Sequence, residues 1–302
     1  LNVLKLPVIV APMFLVSNPA MTIAASRAGV IGSFPLLNAR PASACADWLR
    51  QVKAELEDKP WAVNLISHRK SNKRYDEDVE LIRQHEPPIV ITSLGAPGEV
   101  IEIVHGYGGL VYSDVANIRH ARKAAESGVD GLILVCAGAG GHGGTLNPFA
   151  FIAAVKQFYS GTVILSGSIS TGADVAAARL MGADYAYMGT RFLAAEESDA
   201  QEDYKQMVID SNTEDILYTD AFSGVSANIL IPSLLKQGID PANLKPKKEV
   251  DLSHLVNVKA WRDVWSAGHG VTAVTKRETI GEIVESLDSE YREGVKSLVR
   301  ND

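Results

Sequence analysis

Apolar and polar positions alternate along this chain in blocks rather than residue by residue. Short, nearly unbroken apolar runs cover residues 8–13, 30–34, 61–66, 89–93, 110–115, 131–136, 162–166 and 185–189. A run that is apolar throughout suits a strand buried on both faces, as in a parallel sheet, where no wet face enforces alternation. Between these runs, after Gly, Asn or Ser turns, lie amphipathic stretches that predict helices over 19–28, 42–56, 75–85, 118–127, 148–159 and 173–181. Eight alternating units predict a (β/α)8 TIM barrel. A doubly wound sheet is the structural alternative, because a linear pattern does not by itself close a sheet.

The rhythm breaks after Arg191. A charged helix is expected over 195–212, then a mixed segment at 219–226, an apolar one at 229–235 and a Lys/Pro-rich linker at 241–248. These predict a mostly helical insertion after strand eight. An amphipathic segment at 278–299 returns as the closing barrel helix, so the expected division is a barrel from 1–194 and 272–302 and an insertion from 195–271.

At 302 residues the chain has ample length for a full core, and its 46% hydrophobic and 22% charged content is that of an ordinary globular protein. A net charge of −7 argues against nucleic acid or an anionic membrane as partner, since both reward a basic face. The two cysteines, Cys45 and Cys136, form neither a CxxC nor a zinc spacing, so reduced thiols and a cytoplasmic location are expected. No apolar run reaches the roughly 20 residues that span a bilayer, and no basic start precedes a cleavage-like segment. Leu1 is not a natural initiator, which is compatible with a removed leader. A homodimer is left open.

The densest chemical signal is the stretch 136–149, CAGAGGHGGTLNPF, where His142 stands between Gly140-Gly141 and Gly143-Gly144 just after the sixth apolar run. Glycines strip a loop of side chains and let backbone approach a flat ligand, so His142 is expected to project into an open space. The loops after the last two barrel strands carry Ser166-Gly167-Ser168-Ile169-Ser170-Thr171-Gly172 and Met188-Gly189-Thr190-Arg191. In barrels of this kind those loops often hold phosphate, and a helix N-terminus beside the first of them would add free N–H groups. Ala11-Pro12-Met13 at the end of the first strand offers a narrow apolar edge. Asn64, an amide near the end of an apolar strand, needs a partner, either a heterocyclic edge or neighbouring main chain.

Together Ala11-Pro12-Met13, Ala139 to Gly144 (AGGHGG), Ser166 to Gly172, Met188-Gly189-Thr190-Arg191-Phe192 and Ser266-Ala267-Gly268-His269-Gly270 resemble the nitronate monooxygenases, formerly 2-nitropropane dioxygenases, in order and over nearly the whole chain. AGGHGG and MGTRF also recur in related FMN-dependent enoyl-ACP reductases and NADH:quinone reductases. The resemblance implies a TIM barrel with non-covalent FMN, whose phosphate lies between the loops of Ser166, Gly167 and Ser168 and of Met188, Gly189 and Thr190. It puts the ring near Ala11, Pro12, Met13 and Asn64, with Gly140 and Gly141 alongside, and makes His142 the catalytic histidine. It implies a small-molecule substrate and O2. Three positions depart from the family pattern. Gly138 stands where many members have glutamate, Val135 or Cys136 where many have glutamine, and His269, a candidate substrate contact, where an AGQ glutamine is common.

The activity implied is oxidation of nitronates, or of nitroalkanes, to a carbonyl compound and nitrite. The rival is an FMN-dependent reductase taking hydride from NAD(P)H for an enoyl thioester or quinone. A non-redox barrel for a phosphorylated metabolite is a third reading. It needs a lysine or a carboxylate pair at strand ends, and apart from Asp114 none is evident. Cys136 reads as packing, and His68, His85, His105, His120 and His254 as surface residues. Trp261 and Trp265 read as sharing a helical face between insertion and barrel, and Tyr107, Tyr112 and Tyr218 as candidates for a pocket wall.

Overall fold

A computed structural model of the chain describes residues 4–247 and 263–299. Trp261 and His254 lie outside the described residues. The elements follow in the order β1 (Val8–Val10), α1 (Pro19–Ala28), β2 (Gly32–Pro35), α2 (Ala42–Leu56), β3 (Trp61–Ile66), α3 (Tyr75–His85), β4 (Ile89–Ser93), α4 (Val100–Gly106), β5 (Leu110–Val115) and α5 (Ile118–Glu126). Then come β6 (Gly131–Val135), the two-residue β7 (Gly141–His142), α6 (Pro148–Val155), β8 (Thr162–Ser166), α7 (Gly172–Leu180) and β9 (Tyr185–Met188). The remainder is α8 (Glu202–Asp210), β10 (Ile216–Thr219), β11 (Ala227–Leu230), α9 (Ile231–Lys236) and α10 (Ile280–Val299).

Eight parallel strands pair in the order β1-β9-β8-β6-β5-β4-β3-β2. The last gap closes through a parallel bridge between Ile9 and Ile31, in which Val10 N donates to Ile31 O at 2.8 Å and Ile31 N to Val8 O at 2.9 Å. The sheet is therefore a (β/α)8 barrel and not an open doubly wound sheet. Local chemistry sets the helix starts: Asn18, Asn117 and Asn147 cap α1, α5 and α6 with their side chains, and Pro follows directly in α1 and α6.

The pleat sorts each strand between two apolar layers. Residues such as Val8, Val10, Val63, Leu65, Leu132 and Leu134 face the surrounding helices. Ile9, Ile31, Ala62, Ile91, Tyr112, Ile133, Ile164 and Tyr187 fill the barrel interior. Branched side chains dominate that inner layer, and burying each stabilises the fold by roughly 1.5–3 kcal/mol.

The segment after β9 holds more than helices. β10 and β11 form an antiparallel hairpin, and β11 pairs in turn with β7, placing Ala227 opposite His142 and Asn228 opposite Gly141. Sequence reading missed this hairpin because its strands are only four residues each and neither alternates: β10 is mostly half-buried and β11 is buried throughout. The chain leaves and re-enters the barrel at adjacent points: Glu196 N donates to Glu278 O at 3.0 Å, and buried Arg191 pairs with buried Glu278 at 2.8 Å. α10 then packs on α7 and α1. No described helix is long and apolar enough to cross a membrane.

Candidate active site

Two residues beyond the inner apolar layer, seven of the eight strands place one more residue inward at the C-terminal mouth. Ile9 leads to Ala11, Ala62 to Asn64, Ile91 to Ser93, Tyr112 to Asp114, Ile133 to Val135, Ile164 to Ser166 and Tyr187 to Gly189. All of these line one cavity of 780 Å³, a size suited to a cofactor-scale ligand. Pro12, Met13, Gly140, Gly141, His142, Gly167, Ser168 and Thr190 line it as well. Met188 does not: it is buried in the layer facing the helices, and only its carbonyl, which accepts from Ala11 N at 2.9 Å, reaches toward the mouth.

Asn64 is 7% exposed and resolves its amide through neighbours: Nδ2 donates to Ile91 O at 3.1 Å and to Ser93 Oγ at 3.0 Å. Those bonds use the donor side, leaving Oδ1 to accept from a ligand. Next along the floor is Asp114. Burial pushes its carboxyl up to about 7, and Oδ1 is buried without a hydrogen-bond partner among the described residues. Tyr187 across the barrel is also held well above its ordinary range, by burial and then by the proximity of Asp114.

The two loops over β8 and β9 carry an anion-ready surface, though not the one expected. The N-terminus of α7 is already satisfied: Ser170 N and Thr171 N donate to Asp174 Oδ2 at 3.0 and 2.9 Å, and Gly172 N donates to Glu290 Oε2 on α10 at 2.6 Å. A capping carboxylate and a second one from the closing helix take the place a ligand anion would need. Instead, the N–H groups of Gly167, Ser168, Gly189 and Thr190 have no acceptor among the described residues. Ser170 Oγ, also on the wall, is buried and unpartnered. Gly167 and Ser168 both adopt positive φ, +120° and +57°, as the chain turns off the end of β8.

The glycine-rich stretch behaves differently from a loop cleared for a flat ligand. A Cβ on Gly140 would lie 2.9 Å from Gly268 N, and one on Gly144 2.4 Å from Val135 O. These glycines admit close chain-to-chain packing. His142 is half-buried on β7 and held by the insertion, its Nε2 3.2 Å from Ser223 Oγ. Ser223 Oγ itself donates to Val225 O at 2.9 Å. Gly141 N donates to Ser266 Oγ at 2.7 Å, Asn228 Nδ2 to Ala139 O at 2.6 Å and Tyr218 OH to Gly143 O at 3.0 Å, fixing the strand that bears the histidine.

Other expectations resolve plainly. His269 is not on the cavity wall but behind it, against Gly138. Cys136 is fully buried, with its thiol pushed up to about 12 by burial, and Val135 is the cavity-facing residue of that pair. Tyr112 is sealed in the barrel core, Tyr107 bonds Pro87 O, and Tyr218 supports the loop from outside. The wall's tyrosines are Tyr187 and Tyr204. Trp265 lies on an extended segment and not a helix, stacked on Tyr204 with ring centroids 5.0 Å apart. Exposed His68 and His120 sit at the cavity rim. Ser223 was missed because nothing in its own sequence neighbourhood links it to a histidine 81 positions away.

A closed (β/α)8 barrel with a largely apolar cavity, carrying a few polar groups, at the C-terminal mouth of its strands is an enzyme architecture, and here it belongs to an oxidoreductase. The nitronate monooxygenase family profile matches residues 33–290, and the chain belongs to that family. It is 26% identical to a nitronate monooxygenase of Paraburkholderia phytofirmans over 97% of this chain and 94% of that one. Among solved structures it resembles FabK of Thermotoga maritima, with a TM-score of 0.83 and 25% identity over 98% of this chain and 96% of the other. A nitroalkane oxidase of Streptomyces ansochromogenes shares the fold at the same TM-score of 0.83 with 23% identity, covering 98% and 99% of the two chains.

Proposed function

We propose that this chain is an FMN-dependent enzyme that oxidises nitronates with O2 to a carbonyl compound and nitrite, accepting nitroalkanes where His142 removes the α-proton. The observation that carries this reading is the presence, in one cavity, of a fixed histidine, a floor amide with its acceptor spare and a pair of loops with unsatisfied N–H groups. The residues fit FMN. Gly167, Ser168, Gly189 and Thr190 would hold its phosphate, Asn64 Oδ1 would accept from an N–H on its ring edge, and Ala11, Pro12 and Met13 would give an apolar face. Bound there, FMN would supply the electron acceptance that no side chain provides.

His142 does the proton work. Ser223 Oγ, 3.2 Å from Nε2, orients the ring, and the neutral imidazole takes a proton from a neutral nitroalkane. Once protonated, the imidazolium supplies the positive charge that holds a nitronate in a partly water-excluded wall. Purified protein should show flavin absorbance, and addition of a nitronate in air should consume O2 and release nitrite. Release of FAD, or no flavin after reconstitution, would remove FMN from this reading.

A second reading is an FMN-dependent reductase that takes hydride from NAD(P)H for an enoyl thioester or quinone. It is favoured by the cavity's extension past Gly95, Ala96 and Pro97 to His120 and Lys123 of α5, which is more room than a small nitronate needs. Consumption of NAD(P)H in the absence of O2, with no nitrite from nitronates, would decide for it.

A further inference from the structure

The mouth of the barrel carries one group that the proposed chemistry does not use. Asp114 ends the inward series of β5, next to Ser93 on β4 and paired with Ile133 on β6, and lines the cavity floor. Buried polar groups are nearly always paired, yet Asp114 Oδ1 is buried with no partner among the described residues. A carboxylate placed this way would be costly, whereas a carboxylic acid has a proton to give to whatever enters the cavity.

We infer that Asp114 is a ligand-binding residue that acts in its neutral form, donating a hydrogen bond from its carboxyl to an acceptor atom of the heterocycle seated on the cavity floor, so that binding takes up a proton. The inference rests on the flavin reading. No charged neighbour contributes to holding the proton on: burial alone raises the group, to about 7. The titratable groups that face it are Tyr187 from β9 and Tyr112 below it on β5, both phenols raised by burial. β4 and β6 turn Ser93 and Val135 toward the floor, which carry no charge. His142 shares the wall, and His68, His120 and Lys123 stand at the rim. The floor thus divides its labour: Asn64 keeps an acceptor free and Asp114 offers a donor, a pair that reads a ring edge bearing both an N–H and a carbonyl or bare nitrogen.

The test measures FMN affinity of flavin-stripped protein by fluorescence at pH 6 and pH 8.5, for wild type, Asp114→Asn and Asp114→Leu, each repeated with His142→Ala to remove the imidazole's own titration. The wild type should bind roughly ten- to thirtyfold more weakly at the higher pH, as proton-linked binding requires when the free group titrates near 7. Asp114→Asn, which keeps a permanent donor, should lose most of that pH dependence, retaining only the part from the phosphate's own second ionisation, and Asp114→Leu should bind more weakly than wild type at pH 6. In parallel, infrared difference spectra should show a protonated-carboxyl stretch in the wild type at pH 6 that shifts when FMN is added and is missing from Asp114→Asn. The same pH dependence in wild type and Asp114→Asn, or a carboxyl band indifferent to FMN, overturns the inference and leaves the flavin reading standing. Failure of the wild type to bind FMN at any pH overturns both.

Discussion

Gly138 and His269 occupy each other's space. His269 N donates to Gly138 O at 2.9 Å, and a Cβ on Gly138 would lie 3.1 Å from the imidazole Cγ and Nδ1 and 2.2 Å from Ser168 Oγ. Two of the positions at which this chain departs from its family's usual pattern are therefore one contact, and a larger residue at 138 would have to displace the ring at 269. Gly138 also holds φ at +81°, which favours glycine. Gly138→Glu alone should destabilise the fold by about 1–3 kcal/mol. Because the ring backs the wall and does not line it, His269→Gln should keep the fold and change kcat and KM by less than about threefold. Combining the two should cost less than the sum of the singles, a coupling that a thermal-melt double-mutant cycle reads directly.

His142 separates chemistry from cofactor retention. His142→Ala should keep FMN and the fold while turnover of neutral nitroalkanes falls by about 10²- to 10⁴-fold, with pre-formed nitronates affected less because they have already lost the proton. Ser223→Ala should lower nitroalkane turnover by a smaller factor and shift its pH profile, since the imidazole loses the hydrogen bond at Nε2 that orients it. Steady-state kinetics with both substrate forms distinguish these outcomes. Equal losses with nitroalkane and nitronate would mean anion binding and not proton transfer.

Gly189 tests the phosphate loops. A Cβ there would stand 3.4 Å from Met13 Sδ and 3.5 Å from Ala11 Cβ, ordinary contact distances, so Gly189→Ala should fold normally and keep at least part of its flavin. Gly189→Glu places a carboxylate beside the unsatisfied N–H groups and should abolish retention, because a covalent anion competes with and repels the ligand's own. Flavin-to-protein absorbance ratios after gel filtration are the measurement. Undiminished flavin in a folded Gly189→Glu variant would take the residue out of the site.

Asp114 should also write itself into the stability curve. Its folded-state value is raised to about 7, above that of an exposed aspartate, so its contribution is full below about pH 4 and is lost as pH rises through 7. Asp114→Asn, which has no charge to bury, should therefore gain on the wild type as pH rises. The expected difference in unfolding free energy grows by about 1–3 kcal/mol between pH 5 and pH 8, discounted from the full shift because the residue is only partly enclosed. Melting temperatures of the apo-proteins across that range check both sign and size.

The barrel and the identity of its loops were readable in the linear chain because each is a local property. Strands buried on both faces are apolar nearly throughout, as Gly131–Val135 is and as Trp61–Ile66 is apart from Asn64, and glycine-serine turns after them announce where backbone must bend. The same uniformity concealed which face points inward. A mostly apolar run carries no clear alternation, so which residues form the inward ring of Asn64, Ser93, Asp114, Val135 and Ser166 is decided only when closure through Ile9 and Ile31 gives the sheet an inside. Likewise His142 was conspicuous among its glycines, but its partner Ser223 and the supporting Ser266 come from an insertion whose place over the mouth is set by strand pairing between Ala227–Leu230 and Gly141–His142. Residue type and spacing determined that a histidine and two anion-ready loops would sit near strand ends. Only tertiary packing decided which N–H groups remained unsatisfied, since Asp174 and Glu290 are brought to the start of α7 by the cap and by the closing helix, and hydrogen-bond satisfaction is a property of everything within reach and not of neighbours in sequence.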